Sequence, residues 1–346
     1  MNNFRIGSLT VGDEHPPIVI CELGINHGGS LETAIKLAEL AIDSGARVIK
    51  HQTHLLFDEM SNEAKEVKPG NSKLSIFEVI SENSLSIEDE RKLADFVRNK
   101  GAIYISTPFS KSAVDFLESI DVPCFKIGSG ECNNYPFVEY VASKGKPIIL
   151  STGMNSIESI RPSVEIFEDY KIPYALLHCT NIYPTPQNLI RLDAMLELRS
   201  SFPNAVIGLS DHSTSNAACL GAVGLGASII ERHFTDSKER IGPDISCSMD
   251  PQELIDLIKL SSEINEAKGG GKRPLAEESK TIAFAFASVA VTKKINKGEL
   301  LTPENIWVMR PGGGDFGPSD LKKLYGRKVR IDVQPGFQLK ASEIYE

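Results

Sequence analysis

Eight short segments of the chain are almost continuous in apolar residues. They are PIVICEL (17–23), ARVIKHQ (46–52), AIYIST (102–107), CFKIGS (124–129), PIILST (147–152), YALLHC (174–179), AVIGLS (205–210) and SIIERH (228–233). Runs that do not alternate belong to strands buried on both faces, as in a parallel sheet. Helical spacing fills most of the gaps. Leu31, Ile35, Ala38 and Ile42 follow Ser30 as N-cap. Ser86 and Asp89 form a capping-box pattern ahead of Leu93, Phe96 and Val97. Asp250-Pro251-Gln252-Glu253 combines N-cap, N1 proline and N3 glutamate ahead of Leu254, Leu257 and Ile258. Eight strands alternating with helices over about 265 residues predict an α/β protein, a (β/α)8 TIM barrel. A doubly wound open sheet is the weaker alternative, because no strand runs into a GxGxxG turn.

The rhythm breaks twice. Residues 55–80 are polar, contain Pro69-Gly70 and predict an excursion inserted after the second strand. The stretch Lys268-Gly269-Gly270-Gly271-Lys272-Arg273-Pro274 is a linker signal, and beyond it short strands and Gly-rich turns take over. The expected division is a barrel over 1–268, a linker over 269–282 and a small mostly-β domain over 283–346. A domain of about 60 residues is marginal alone, so it is expected to dock.

Composition narrows the function classes. The 346 residues carry 37 basic and 46 acidic side chains, a formal charge of −9, which argues against a general nucleic-acid or anionic-membrane surface. Local cations can still dominate one pocket. No apolar run reaches about 18 residues, and the opening MNNFRIGSLTVGDEHPP lacks the apolar core of a secretory signal. The six cysteines form no CxxC pair and fall mostly in apolar runs. Reduced, buried thiols in a cytoplasmic protein are the expectation, not a zinc cluster or disulfide framework.

Barrel enzymes carry their chemistry at the C-terminal ends of the strands. Those ends are polar in all eight cases: Glu22; Lys50, His51, Gln52; Ser106, Thr107; Lys126, Ser129, Glu131; Ser151, Thr152; His178, Thr180, Asn181; Ser210, Asp211, His212; and Glu231, His233. Lys50 and Lys126 with the hydroxyls of Ser106, Ser129, Ser151 and Ser210 suit a phosphate or carboxylate. His212 and His233 close adjacent strands and can share a divalent metal whose shell water or substrate completes; Asp211 could join or orient them. A hydrogen-bonded core histidine is the plainer alternative for each. Glu22, Glu131 and Asp244 are candidates for acid–base work or hydroxyl recognition. The loop Asn181-Ile182-Tyr183-Pro184-Thr185-Pro186 is stiffened by two prolines and offers amide and phenol donors.

The strings CELGINHGGSLETA, KHQTH, STPFS, KIGSGECNNYP, ILSTGMNSIESI, HCTNIYPTP, GLSDH, ERHFTD and GPDISCSMD together resemble the bacterial N-acetylneuraminate (sialic acid) synthases, and KKINKGELLTPENIWVMRPGGGDF resembles their antifreeze-like (SAF) domain. The resemblance runs in order over about 15–346. It implies condensation of phosphoenolpyruvate (PEP) with an open-chain N-acyl hexosamine and water, giving a nonulosonic acid and phosphate by C–O cleavage. It implies PEP at Lys50, Thr107, Lys126, Ser129, Ser151 and Ser210, and Mn²⁺ (or Mg²⁺ or Co²⁺) at His212 and His233. N-acetylmannosamine would meet Glu22, Gln52, Asn181, Tyr183 and Asp244, and Glu131 or metal-bound water would deliver the attacking water. It further implies a domain-swapped homodimer in which Arg310 reaches into the partner's barrel, with Phe284 or Phe286 at the acyl pocket. KHQTH, ECNNYP and NIYPTP favour N-acetylmannosamine over the diacetamido sugars of legionaminate and pseudaminate synthases. A 3-deoxy-octulosonate phosphate synthase would not need the tail. A non-catalytic sugar- or PEP-binding protein and an ice-binding tail are the remaining alternatives.

Overall fold

A computed structural model describes residues 2–69 and 73–345; Gly70 of the Pro69-Gly70 pair in the expected excursion lies outside them. The chain forms two compact units, one ending at Gly269 and one beginning at Gly270, inside the glycine-rich stretch.

The first unit opens with an antiparallel hairpin, β1 (Asn3–Ile6) and β2 (Leu9–Gly12), turning at Gly7, whose φ of +56° suits glycine. The apolar-run reading did not include it. Then come the eight strands of a closed parallel barrel: β3 (Ile18–Gly24), β4 (Val48–Thr53), β5 (Ile103–Pro108), β6 (Phe125–Ile127), β7 (Ile148–Ser151), β8 (Tyr174–Cys179), β9 (Val206–Asp211) and β10 (Ile229–His233). Strand order follows the chain, and β10 pairs with β3 to close the ring. The continuous apolar runs have a simple cause: both faces are dry. Val19, Cys21, Ile49, Leu150, Leu176 and Ile230 face the surrounding helices. Ile20, Val48, Ile105, Ile149, Ala175, Val206 and Ile229 face inward, where Phe4, Ile6, Leu9 and Val11 of the hairpin join them and seal the N-terminal end.

The helices α1 (Leu31–Asp43), α2 (Leu56–Glu59), α3 (Ile76–Asn83), α4 (Ile87–Asn99), α5 (Lys111–Ser119), α6 (Tyr135–Ala142), α7 (Ile157–Asp169), α8 (Asp193–Ser201), α9 (Ala217–Gly224) and α10 (Pro251–Ala267) complete the unit. Ser30 and Ser86 cap α1 and α4, and Asp250 with Glu253 forms a reciprocal capping box on α10. The excursion after β4 is less polar than its composition suggests. α3, boxed by Ser75 and Glu78, packs Val79 and Ile80 on Ile25, with Leu56, Met60 and Ile76 alongside.

The second unit contains α11 (Ser279–Ala285), a two-stranded antiparallel sheet of β11 (Ser288–Val291) and β12 (Ile306–Met309), and α12 (Leu321–Leu324). Its own core includes Val289, Val291, Ile295, Leu301, Ile306, Val329 and Leu339. All six cysteines are free and buried. Among the described residues no helix is long and apolar enough to cross a membrane.

Candidate active site

The C-terminal mouth of the barrel opens into a cavity of about 1170 Å³. Strand alternation decides which side chains reach it. On β4, Lys50 and Gln52 point in while His51 points out; on β10, Glu231 and His233 point in while Arg232 points out.

Two lysines form the floor. Lys50 Nζ donates to Thr107 Oγ1 at 3.1 Å and pairs with Glu22 Oε2 at 2.5 Å. Lys126 Nζ donates to Ser151 Oγ at 2.6 Å. Glu231 lies between them, its Oε1 at 3.8 Å from Lys50 and 3.7 Å from Lys126, and it accepts from Ser210 Oγ at 3.2 Å. Burial works against the Lys50 ammonium, but Glu22 and Glu231 outweigh it and its pKa ends above the usual value. For Lys126 burial wins over Glu231 and the pKa ends below. Glu231 Oε2 is buried without a hydrogen-bond partner, an open acceptor facing the cavity.

Beside the floor stand two imidazoles. The rings of His212, just past β9, and His233 are 5.4 Å apart, and Tyr183 packs on His212 at 4.0 Å. His212 Nδ1 donates to the Thr180 carbonyl at 3.1 Å, which leaves Nε2 free. His233 Nδ1 lies 3.6 Å from Asp244 Oδ2 and is buried without a hydrogen bond. Burial lowers both pKa values, favouring the neutral imidazole that ligates metals. Among the described residues no group of three or more His, Cys, Asp or Glu side chains is arranged to hold an ion. The donor set therefore fits a labile divalent cation only with ligands from water or substrate.

Two glycines admit this packing. Gly24, at φ +53°, would carry a Cβ 3.0 Å from His233 Nδ1 and 3.3 Å from Asp244 Oδ2. A Cβ on Gly153 would stand 1.8 Å from Asn181 Oδ1, so the space Asn181 occupies exists only because that side chain is missing.

Lys50, Gln52, Thr107, Lys126, Ser129, Ser151, Asn181, Tyr183, Ser210, His212, His233 and Asp244 all line the cavity. Glu22 lies just outside the lining, 1% exposed, tied to Lys50 and Gln52. Glu131 does not reach the cavity. The 3₁₀ turn Ser129–Glu131 carries it away from the strand end, and Asn134 donates to its carboxylate. Asp211 turns outward, accepting from Ser213 and facing Arg232, so it does not join the histidines. His178 is held by the Ile190 carbonyl, Thr152 by Leu177 and Ser106 by Thr53. His51 packs against His27 and the buried Glu90, outside the barrel wall. Arg310, Phe284 and Phe286 belong to the second unit, where all three are exposed. The residue that sequence reasoning undervalued is Glu231. Its signal was parity: in SIIERH it shares a face with His233.

Residues 37–273 match the NeuB family and residues 286–344 the SAF domain. This chain belongs to the NeuB family. Among its relatives, N,N'-diacetyllegionaminic acid synthase of Legionella pneumophila is 33% identical, covering 93% of this chain and 92% of that protein. Pseudaminic acid synthase of Campylobacter jejuni is 35% identical, covering 94% and 96%. The crystal structure of N-acetylneuraminic acid (sialic acid) synthetase from Leptospira borgpetersenii superposes with a TM-score of 0.73 at 30% identity, over 81% of this chain and 95% of that one. These NeuB-family relatives are named for three different sugar acids, so membership fixes the fold and leaves the sugar open.

Proposed function

We propose that this NeuB-family chain is an N-acetylneuraminate synthase. It condenses PEP with open-chain N-acetylmannosamine and water to give N-acetylneuraminate and phosphate. The observation that carries the reading is the buried pair Lys50 and Lys126, ringed by Thr107, Ser151 and Ser210, next to the His212–His233 pair. The lysines and hydroxyls hold the phosphate and carboxylate of PEP, where directed donors in a dry site are strongest. Glu22 and Glu231 already balance both lysine charges, so an incoming trianion favours co-entry of a divalent cation. Such an ion, Mn²⁺ by preference, would sit on His212 and His233 and supply Lewis acidity to the sugar aldehyde.

The new bond joins the PEP methylene carbon to the aldehyde carbon. As that bond forms the aldehyde C=O opens and its oxygen takes up a proton; water adds at the neighbouring carbon and gives one up, and the hemiketal phosphate then breaks its C–O bond, its hydroxyl becoming the ketone and its proton leaving with phosphate. Glu231, facing the lysines with an unpartnered oxygen, is better placed than Glu131 to hold that water. Gln52, Asn181, Tyr183 and Asp244 face the space left for the sugar. In this reading the enzyme is a cytoplasmic, domain-swapped homodimer and Arg310 meets the N-acetyl group from the partner. Arg310→Ala should then raise the sugar KM at least tenfold and leave the PEP KM within twofold; an unchanged sugar KM would remove that contact.

The choice of N-acetylmannosamine rests on KHQTH, ECNNYP and NIYPTP. One observation favours a second reading, a diacetamido-sugar synthase: Ile25, Ile76, Val79 and Ile80 give the cavity an apolar wall, which suits a deoxy carbon. Phosphate release from PEP with Mn²⁺ decides between them, comparing N-acetylmannosamine with 2,4-diacetamido-2,4,6-trideoxyhexoses and an EDTA control. Release with N-acetylmannosamine supports the proposal. Release only with a diacetamido sugar changes the substrate, and release with none leaves a binding protein.

A further inference from the structure

His54 is the cavity-lining residue of KHQTH that this chemistry leaves unused. It follows β4 directly, is 6% exposed, and lines the cavity with Glu59, the last residue of α2. Its ring lies flat on Phe109, 4.3 Å away and 10° from parallel. Nδ1 faces Glu59 Oε2 at 2.9 Å and Nε2 faces Gln52 Oε1 at 3.1 Å. Gln52 Nε2 in turn donates to Glu22 Oε1 at 2.9 Å, and Glu22 Oε2 meets Lys50. An unbroken polar chain therefore runs from the excursion at the mouth to the buried lysine.

Hydrogen-bond inventory gives this chain a direction. A carboxylate only accepts, so the Gln52 atom facing Glu22 must be its NH₂ group, and its carbonyl oxygen faces His54. That oxygen also only accepts, so His54 Nε2 donates to it. Nδ1 faces the Glu59 carboxylate, and stacking on Phe109 holds the ring between Glu59 and Gln52. With its oxygen occupied by His54, Gln52 has one N–H left for a ligand in the cavity. The bond from His54 also turns the carbonyl oxygen away from Glu22, so the amide presents that N–H at a fixed orientation.

We propose that His54 and Glu59 are positioning residues that, opposite Glu22, hold the amide of Gln52 in place, so that Gln52 presents an N–H to an acceptor oxygen of the sugar. The dyad touches neither PEP nor the reacting atoms; it acts through Gln52. The assignment rests on the synthase reading above for its substrate and on geometry alone for the dyad.

His54→Phe tests it, because phenylalanine keeps the stack on Phe109 and removes both hydrogen bonds. Sugar KM in this variant should rise about tenfold, equivalent to about 1.4 kcal/mol, with the PEP KM within twofold. Glu59→Gln should show a smaller rise in the same direction, since an amide can still hydrogen-bond to Nδ1. The decisive measurement is the double variant. If His54 acts through Gln52, adding His54→Phe to Gln52→Leu should cost no further sugar affinity. A full, additive tenfold loss in the Gln52→Leu background, or an unchanged sugar KM in His54→Phe, overturns the proposal. Urea unfolding of the wild type, His54→Phe, Gln52→Leu and the double variant gives a readout without turnover. Midpoint losses should be less than additive for the pair, and strictly additive losses refute the coupling even if the wild-type chain releases no phosphate with any sugar tried. That last result by itself would sink the synthase reading and not the dyad.

Discussion

The two ends of the barrel are built from the same eight strands and have opposite characters. At the N-terminal end, Ile20, Val48, Ile105, Ile149, Val206 and Ile229 meet Phe4, Ile6, Leu9 and Val11 of the hairpin in a dry apolar seal. A few residues along, the same inward-facing rows carry Lys50, Lys126, Glu231 and His233 around a cavity. One end spends its side chains on burial. The other holds ionisable groups in the interior, Glu22 and His212 with these four, each needing a partner to offset its desolvation. The contrast teaches that stability and chemistry are separable along a strand, within about three residues.

Removing charge at the mouth should have the largest effect. Lys126→Met is expected to lower phosphate release about a thousandfold while circular dichroism and the melting midpoint stay near wild type. A folded, active Lys126→Met protein would break the division between the two ends. Next in size, His233→Ala should lower Mn²⁺-dependent turnover, because it removes one of the two imidazoles that would hold the proposed ion. Full activity in metal-stripped wild type would contradict the metal role outright. At the sealed end the signs reverse. Ile6→Ala, at a fully buried position, should cost about 3 kcal/mol of stability, read by urea unfolding, with kcat per folded molecule unchanged. A drop in kcat would mean that the plug also shapes the mouth.

The most gradual effect, spread over several pH units, probes polar residues at the mouth that face away from the cavity. Burial, and then the neighbouring His51, push His27 down to about 3 from 6.5. The folded chain keeps His27 neutral in that window while the unfolded chain takes up the proton, so stability falls as pH drops from about 6.5 toward 3. The slope from this one group is at most about 1.4 kcal/mol per pH unit. His27→Asn should flatten the loss measured by urea melts at successive pH values; parallel slopes in both proteins would remove His27 as the cause.

The barrel was legible because burial on both faces writes itself as unbroken apolar runs, and all eight strands lie within two residues of those runs. The hairpin was not, since Phe4, Ile6, Leu9 and Val11 fall in strands of four residues, too short to establish a period. Site residues on strands were legible through alternation once the strand was known. Those in turns were not. Glu131 sits close to Lys126 and Ser129 in sequence, yet a 3₁₀ turn carries it elsewhere. Asp211 and His212 are adjacent, and the chain gives them opposite directions. The His54–Glu59 contact joins a strand end to a four-residue helix, and no local pattern announces it.

Closure of the ring by β10 against β3 has a consequence for synthesis on the ribosome. The first barrel strand to emerge waits for the last before its second edge is covered. Until His233 has left the exit tunnel, Ile18–Gly24 presents an unpaired parallel edge with apolar faces, the kind of surface that invites pairing with another chain. A nascent chain stalled anywhere between Thr53 and Ile229 would carry that edge exposed, and is where chaperone dependence of this protein should concentrate.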